Sequence, residues 1–302
     1  MTLINKPALV WGVFIFVSYF LIGLWTEEYD LRPDLVSRID TASEGCPNYE
    51  FIFLSENVTP FILYVQGKII ADTTSCIIFA KVLVSKSFAL YVMPPLLGLF
   101  LYLAIVAFFS AQRPAERVSY ATVYLILMFP TVALSVGEHF KSTIGMLLLL
   151  MSLASDSKRR GWLFMALAFV SHATSLISFV MYRIIGLNGF WIKWVAISLF
   201  SFFCFGLNFL FLDLGRDAGG SDFQTVLVVL LGLTLSINIR GKDNIYFNPF
   251  PLLVLMLLGS TYIGGRAIIS AAPLLLAQGV LRNNNMWLIL LPSSLLSLYF
   301  II

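Results

Sequence analysis

Arg266 follows the pair Gly264-Gly265, and residues without side chains let a ligand approach a guanidinium closely. A planar, permanently charged guanidinium so placed suits a phosphate or pyrophosphate, which it can grip through two parallel N–H bonds. The plainer alternative is an arginine reaching for lipid headgroups. Glu138, His139 and Lys141 share one helix junction. There Glu138 and Lys141 form either a local ion pair three residues apart or a base and a cation at the same site. His172 stands in the polar run Ser171-His172-Ala173-Thr174-Ser175 inside an apolar stretch. It is either a hydrogen-bonded structural residue or part of the chemistry. Upstream, Asp40, Glu50 and Glu56 offer a general base, although most acids in such a segment are solvated surface charges.

Several familiar chemistries are missing. The chain carries no Gly-rich phosphate loop with Lys-Ser/Thr, no dinucleotide fingerprint, no His-Glu-x-x-His and no Gly-x-Ser-x-Gly. With Cys46, Cys76 and Cys204 and two histidines, neither a disulfide scaffold nor a zinc cluster is expected. No cofactor or metal is therefore expected, and a soluble nucleotide is not an obvious substrate.

The elements that must position these groups follow from composition. Of 302 residues, 59% are hydrophobic and 12% charged, against about 45–50% and about 25% in soluble domains. One soluble core cannot hide that much apolar surface, and a nucleic-acid-binding or disordered chain is excluded together with a soluble enzyme. The expectation is an all-α polytopic membrane protein forming a single membrane domain over 1–302. Runs long enough to cross about 30 Å of hydrocarbon lie near 8–25, 87–109, 119–136, 142–155, 162–185, 190–212, 223–239, 249–264, 267–281 and 286–302. That makes about nine to eleven helices. Residues 8–25 run on into Trp25-Thr26-Glu27-Glu28 without a small-residue cleavage site, so they read as a span rather than a removable leader. Between the first two spans, 26–50 is acidic. In 51–86, Lys68, Asp72, Lys81 and Lys86 interrupt the apolar pattern, as in a helix lying in the membrane interface.

Orientation follows the bias of Lys and Arg toward the cytoplasm. Lys6 inside places 26–86 outside, Arg113 and Arg117 inside, the Glu138–Lys141 junction outside, and Lys158-Arg159-Arg160 inside. A single crossing at 162–185 would then put Arg183, Lys193, Arg240 and Lys242 on the wrong side. A broken hairpin turning near Ser171–Ser175 restores the rule and leaves Arg266 outside. Broken helices at membrane depth are tolerated where they line protein or a cavity.

In that order the features resemble the EpsG/Wzy-type polysaccharide polymerases of bacterial membranes. The matching residues are Arg38-Ile39-Asp40, Tyr49-Glu50-Phe51 and Glu56-Asn57-Val58-Thr59-Pro60-Phe61 after the first span. They continue with Lys141 before an apolar run and Lys158-Arg159-Arg160, then His172-Ala173-Thr174-Ser175-Leu176-Ile177, and Arg266 ahead of Pro273. The resemblance covers roughly 38–280, and Lys141 stands where the family usually has arginine. It implies a GT-C-like fold and metal-independent glycosyl transfer at the outer face of the bacterial inner membrane. Undecaprenyl-pyrophosphate-linked oligosaccharide would be joined onto a lipid-linked repeat unit to build O-antigen, capsule or exopolysaccharide. In that scheme Arg266, Lys141 and His139 hold the pyrophosphate, and Asp40, Glu56, Glu138 and His172 serve the chemistry. The partners are the lipid-linked sugar, membrane lipid and a chain-length regulator protein, with no nucleic acid. A flippase or other transporter, and an O-antigen ligase-like glycosyltransferase, stay open as alternatives.

Overall fold

A computed structural model describes residues 6–28, 91–114, 119–138, 140–172, 174–187, 189–213, 222–240, 244–259, 262–283 and 285–301. Asp40, Glu50, Glu56, His139 and the 26–86 segment beyond Glu28 and up to Lys86 lie outside the described residues, as does the side chain of Glu138.

Among the described residues the chain is a helical membrane protein. Its helices are α1 (Lys6–Glu28), α2 (Met93–Gln112), α3 (Tyr120–Leu127), α4 (Pro130–Glu138), α5 (Phe140–Ala154), α6 (Lys158–Ser171), α7 (Thr174–Gly186), α8 (Phe190–Asp213) and α9 (Asp222–Ser236). A ribbon of β1 (Ile237–Arg240) and β2 (Asn244–Phe247) follows, then α10 (Phe250–Gly259), α11 (Tyr262–Arg282) and α12 (Trp287–Ile301). Lys6–Leu24, Met93–Gln112 and Gly264–Arg282 are long and apolar enough to cross a membrane. The pair α3–α4 joins them if taken as one span bent by 68°. Large side chains such as Trp162, Trp191 and Phe202 are about three-quarters exposed (75%, 78% and 75%). Apolar surface of that kind is suited to lipid.

Three departures from the sequence reading have local causes. The apolar run 119–136 is broken at Met128-Phe129, because Pro130 has no N–H to donate back and its ring cannot follow a helical turn. The break withdraws the usual partners of the Leu125 and Leu127 carbonyls. Ser294 of α12 donates to Leu125 O at 2.9 Å and Tyr19 of α1 to Leu127 O at 2.8 Å. This is how a proline break survives away from water. The run 223–239 is helical only to Ser236 and then turns into the antiparallel ribbon, in register Ile237↔Phe247 to Arg240↔Asn244. Ile-Asn-Ile-Arg alternates in type, and β-branched and aromatic residues prefer the extended chain. Ser236 closes the corner: its carbonyl accepts from Asn248 N at 2.8 Å and its Oγ from Leu252 N at 3.1 Å. Third, α11 is one continuous helix through Gly264, Gly265, Arg266 and Pro273.

That helix is the central post. It packs against α2, α3, α4, α5, α7, α8, α9 and α10, and Ala267, Ala271, Ala272 and Ala277 on it are buried. In a membrane, association relies on close packing and on hydrogen bonds between helices, so small residues and hydroxyls belong at such contacts. The hydroxyls are there. Thr131 donates to Leu227 O (3.4 Å), Thr143 to Ser135 O (2.9 Å) and Tyr102 to Ala8 O (3.1 Å).

One end of the post collects basic groups. The Arg113 guanidinium, just past α2, donates to Leu281 O beside Arg282. At the start of α10 the Phe250 ring meets Trp194 edge-on at 5.3 Å and the Lys193 ammonium at 5.8 Å. Arg266 lies about 24 Å up the same helix at 1.5 Å per residue.

Candidate functional site

The candidate site is built where α5, the α6–α7 junction and the first turns of α11 meet. Its first part is a helix break. α6 ends at Ser171, and His172 takes an extended backbone (φ −160°, ψ 122°), its N–H still donating to Ala168 O at 3.0 Å. The His172 carbonyl then accepts from Ser175 N at 2.9 Å to start α7, and its Nδ1 accepts from Thr174 N at 3.3 Å and also meets Thr174 Oγ1. The imidazole therefore caps the helix that follows it, a role usually given to Ser, Thr, Asp or Asn. With Nδ1 engaged as acceptor, the neutral ring carries its proton on Nε2.

α5 closes onto this break through Gly145. A Cβ at Gly145 would overlap Ser175 Oγ and come within 3.3 Å of Ala168 O and 3.4 Å of His172 Cβ. Only a glycine lets the helices approach this far. Lys141, one turn earlier on the same face of α5, is half-buried beside the buried hydroxyls Ser142 and Thr143. Thr143 ties α5 back to α4.

α7 in turn is stitched to α11. The Ser178 hydroxyl, fully buried, is shared between Thr174 O at 3.0 Å and Ala267 O at 3.4 Å. Arg266 is the residue next to that contact. Its side chain is half-buried, and its carbonyl accepts from Ser270 Oγ at 2.8 Å. A continuous path of contacts thus leads from the Lys141 turn through Gly145, Ser175 and His172 to Ser178, Ala267 and Arg266. Lys141, His172 and Arg266 each engage neighbouring groups.

Of the residues singled out in sequence, Lys141, His172 and Arg266 lie on elements that pack against one another, and the setting of the last differs from the expectation. Arg266 is not in a loop between two short spans; it sits in the second turn of α11, and Gly264 and Gly265 are helical and buried. Gly264 and Gly265 each cost about 1 kcal/mol relative to alanine inside a helix. Asp40, Glu56 and His139 lie outside the described residues, and of Glu138 only the backbone at the end of α4 is placed. Ser178, Thr143 and Gly145 had no place in the sequence reading. Their signal was the hydroxyl pair Thr174/Ser178 at helical spacing next to His172, and a lone glycine one turn past Lys141. Among the described residues no three of His, Cys, Asp and Glu come together to hold a metal.

A half-buried guanidinium or ammonium near buried hydroxyls is the kind of group that can stabilise an anion where the local dielectric is low. The fold defines a helical membrane protein. Comparison with protein-family models, with curated proteins and with solved structures finds no match for the chain.

Proposed function

We propose that the protein is a polymerase of lipid-linked sugars in the bacterial inner membrane, working at the outer face. In this reading the oxygen of an acceptor hydroxyl on a lipid-linked repeat unit attacks the anomeric carbon of a chain carried on undecaprenyl pyrophosphate. The bond from sugar to diphosphate breaks, the hydroxyl proton passes to a carboxylate, and the lipid diphosphate leaves with an added negative charge. Arg266 and Lys141 take up that charge, the guanidinium through a bidentate grip and the ammonium as a point charge. Asp40, Glu56 or Glu138 is the base, and His172 holds the site together as the cap of α7. His139, beside Lys141, adds a further donor. A chain-length regulator protein is the partner that fits this activity.

The observation that supports the reading is that the helices carrying Lys141 and Arg266, far apart in sequence, both pack on α7 just past the His172 break, Gly145 against Ser175 and Ala267 against Ser178. The finer architecture goes with it: about nine to eleven crossings in a GT-C-like arrangement, with 162–185 as a hairpin. Supporting the hairpin, Tyr182 of α7 packs edge-on against Phe108 at 6.4 Å, close to the basic end of α2. α7 thus heads back toward Arg113 and Arg282 after starting beside Ala267.

A flippase reading draws on one specific observation, the two interrupted helix pairs α3–α4 and α6–α7, since discontinuous helices often mark transporter sites. Deleting the gene and examining surface polysaccharide separates the two. A polymerase leaves single repeat units attached at the surface and removes long chains. A flippase or a ligase removes both.

A further inference from the structure

At the end of the bundle opposite Arg266 a cavity of about 90 Å³ lies under the β1–β2 ribbon. Leu275, Gln278, Gly279 and Arg282 of α11 line it at the i, i+3, i+4, i+7 spacing of one helix face. Asn238, Asn283 and Met286 close its other sides. Gly279 keeps it open on one flank, where a Cβ would press on Met286 Sδ at 2.7 Å. Two buried polar atoms on residues that line the cavity have no hydrogen-bond partner among the described residues. They are Gln278 Oε1, an acceptor, and Asn283 Nδ2, a donor on a side chain only 8% exposed. The other end of Asn283 is satisfied, since its Oδ1 accepts from Asn285 N at 3.1 Å. A buried donor and a buried acceptor left unpaired at one cavity are costly and call for a partner offering both functions.

The depth and surroundings say what kind of partner. α11 has 21 residues, about 31 Å of helix, close to the thickness of a bilayer's hydrocarbon core. Its last residue, Arg282, therefore stands at headgroup level. Ile245, Tyr246 and Phe247 on the ribbon are exposed (71%, 53% and 56%), which fits a strand immersed in the aromatic belt of the interface. The geometry points to a phospholipid-headgroup site. The phosphodiester lies toward Arg282 and Asn283 Nδ2, and a hydroxyl or ammonium on the same headgroup donates to Gln278 Oε1. The class of ligand is a phosphodiester that carries its own hydrogen-bond donor, as phosphatidylglycerol and phosphatidylethanolamine do and phosphatidylcholine does not. This site is independent of the polymerase reading.

The test uses the purified full-length protein, delipidated in a neutral detergent, with thermal unfolding followed on adding each of four probes. Phosphatidylglycerol and phosphatidylethanolamine should raise the midpoint by about 2–4 °C, while phosphatidylcholine and inorganic phosphate should not. Asn283→Asp keeps the acceptor that caps Asn285 and replaces the donor with an anion; Gln278→Met fills the acceptor's place with an apolar group of similar size. Each should abolish most of the rise. An equal rise with phosphatidylcholine would overturn the donor assignment, and an equal rise with inorganic phosphate would make this a free-anion site. No rise with any lipid, or a full rise in both variants, would leave a water-filled gap and end the proposal. Should either variant fail to fold, native mass spectrometry of the wild type decides by the same criterion, retention of phosphatidylglycerol over phosphatidylcholine.

Discussion

The phenol of Tyr19 donates to the carbonyl of Leu127 across 2.8 Å, from one helix into the break of another. That carbonyl would serve a continuous helix and is released because Pro130 stops α3. Ser294 does the same for Leu125 from the far side. The bend of 68° is thus held open by two side chains from opposite ends of the sequence.

Tyr19→Phe keeps the ring and removes the donor. It should destabilise the protein by about 1–2 kcal/mol, the cost of a buried carbonyl left unpaired. Thermal unfolding in detergent would measure this, with Ser294→Ala giving a loss of similar size. A Tyr19→Phe midpoint equal to wild type would mean that the break needs no side-chain partner.

Gly145→Ala should be harmful out of proportion to one methyl group, because the new Cβ meets Ser175 Oγ. Overpacking of this kind costs about 1–3 kcal/mol. Combining it with Ser175→Gly should recover most of that loss, whereas two mutations at unrelated sites would simply add. A double-mutant cycle on unfolding midpoints reads the difference.

If the α6–α7 pair is a hairpin, its two far ends share a side. Single cysteines placed at Ser157 and Leu187, with Cys46, Cys76 and Cys204 replaced by serine, should both resist an impermeant maleimide added to intact cells. A cysteine at Asp217 should react. Labelling at 187 but not at 157 would make 162–185 a plain crossing.

Much of this bundle could be read from composition and periodicity. The helices at 8–25, 87–109, 142–155 and 190–212 fell close to where the apolar runs lay, since hydrocarbon thickness sets their length. The interruption at His172 was legible too, because Ser-His-Ala-Thr-Ser is a poor helix interior whose side chains compete for backbone groups. What could not be read was pairing across the sequence. Nothing local to Ser178 says that its hydroxyl reaches Ala267, nor does anything near Gly264-Gly265 say that these glycines pack inside a helix. The β1–β2 ribbon was hidden for another reason: Ile237 and Ile239 continue the apolar run of the helix before them, and only their alternation with Asn238 and Arg240 marks the change.

Lys141→Arg and Lys141→Gln separate charge from geometry at that position. If an ammonium acting as a point charge is enough, the arginine variant should hold polymer length near wild type and the glutamine variant should shorten it sharply. Gel profiles of surface polysaccharide from a complemented deletion strain give the result.

The most direct measurement is binding of undecaprenyl pyrophosphate to the purified protein in nanodiscs, comparing wild type with Arg266→Ala and with Arg266→Ala/Lys141→Gln, each checked for an unchanged unfolding midpoint. Loss of one charge-assisted contact should weaken binding by about tenfold or more, and loss of both by about a hundredfold. Equal affinity in all three folded proteins would contradict the account, for it would mean that these cations hold no diphosphate.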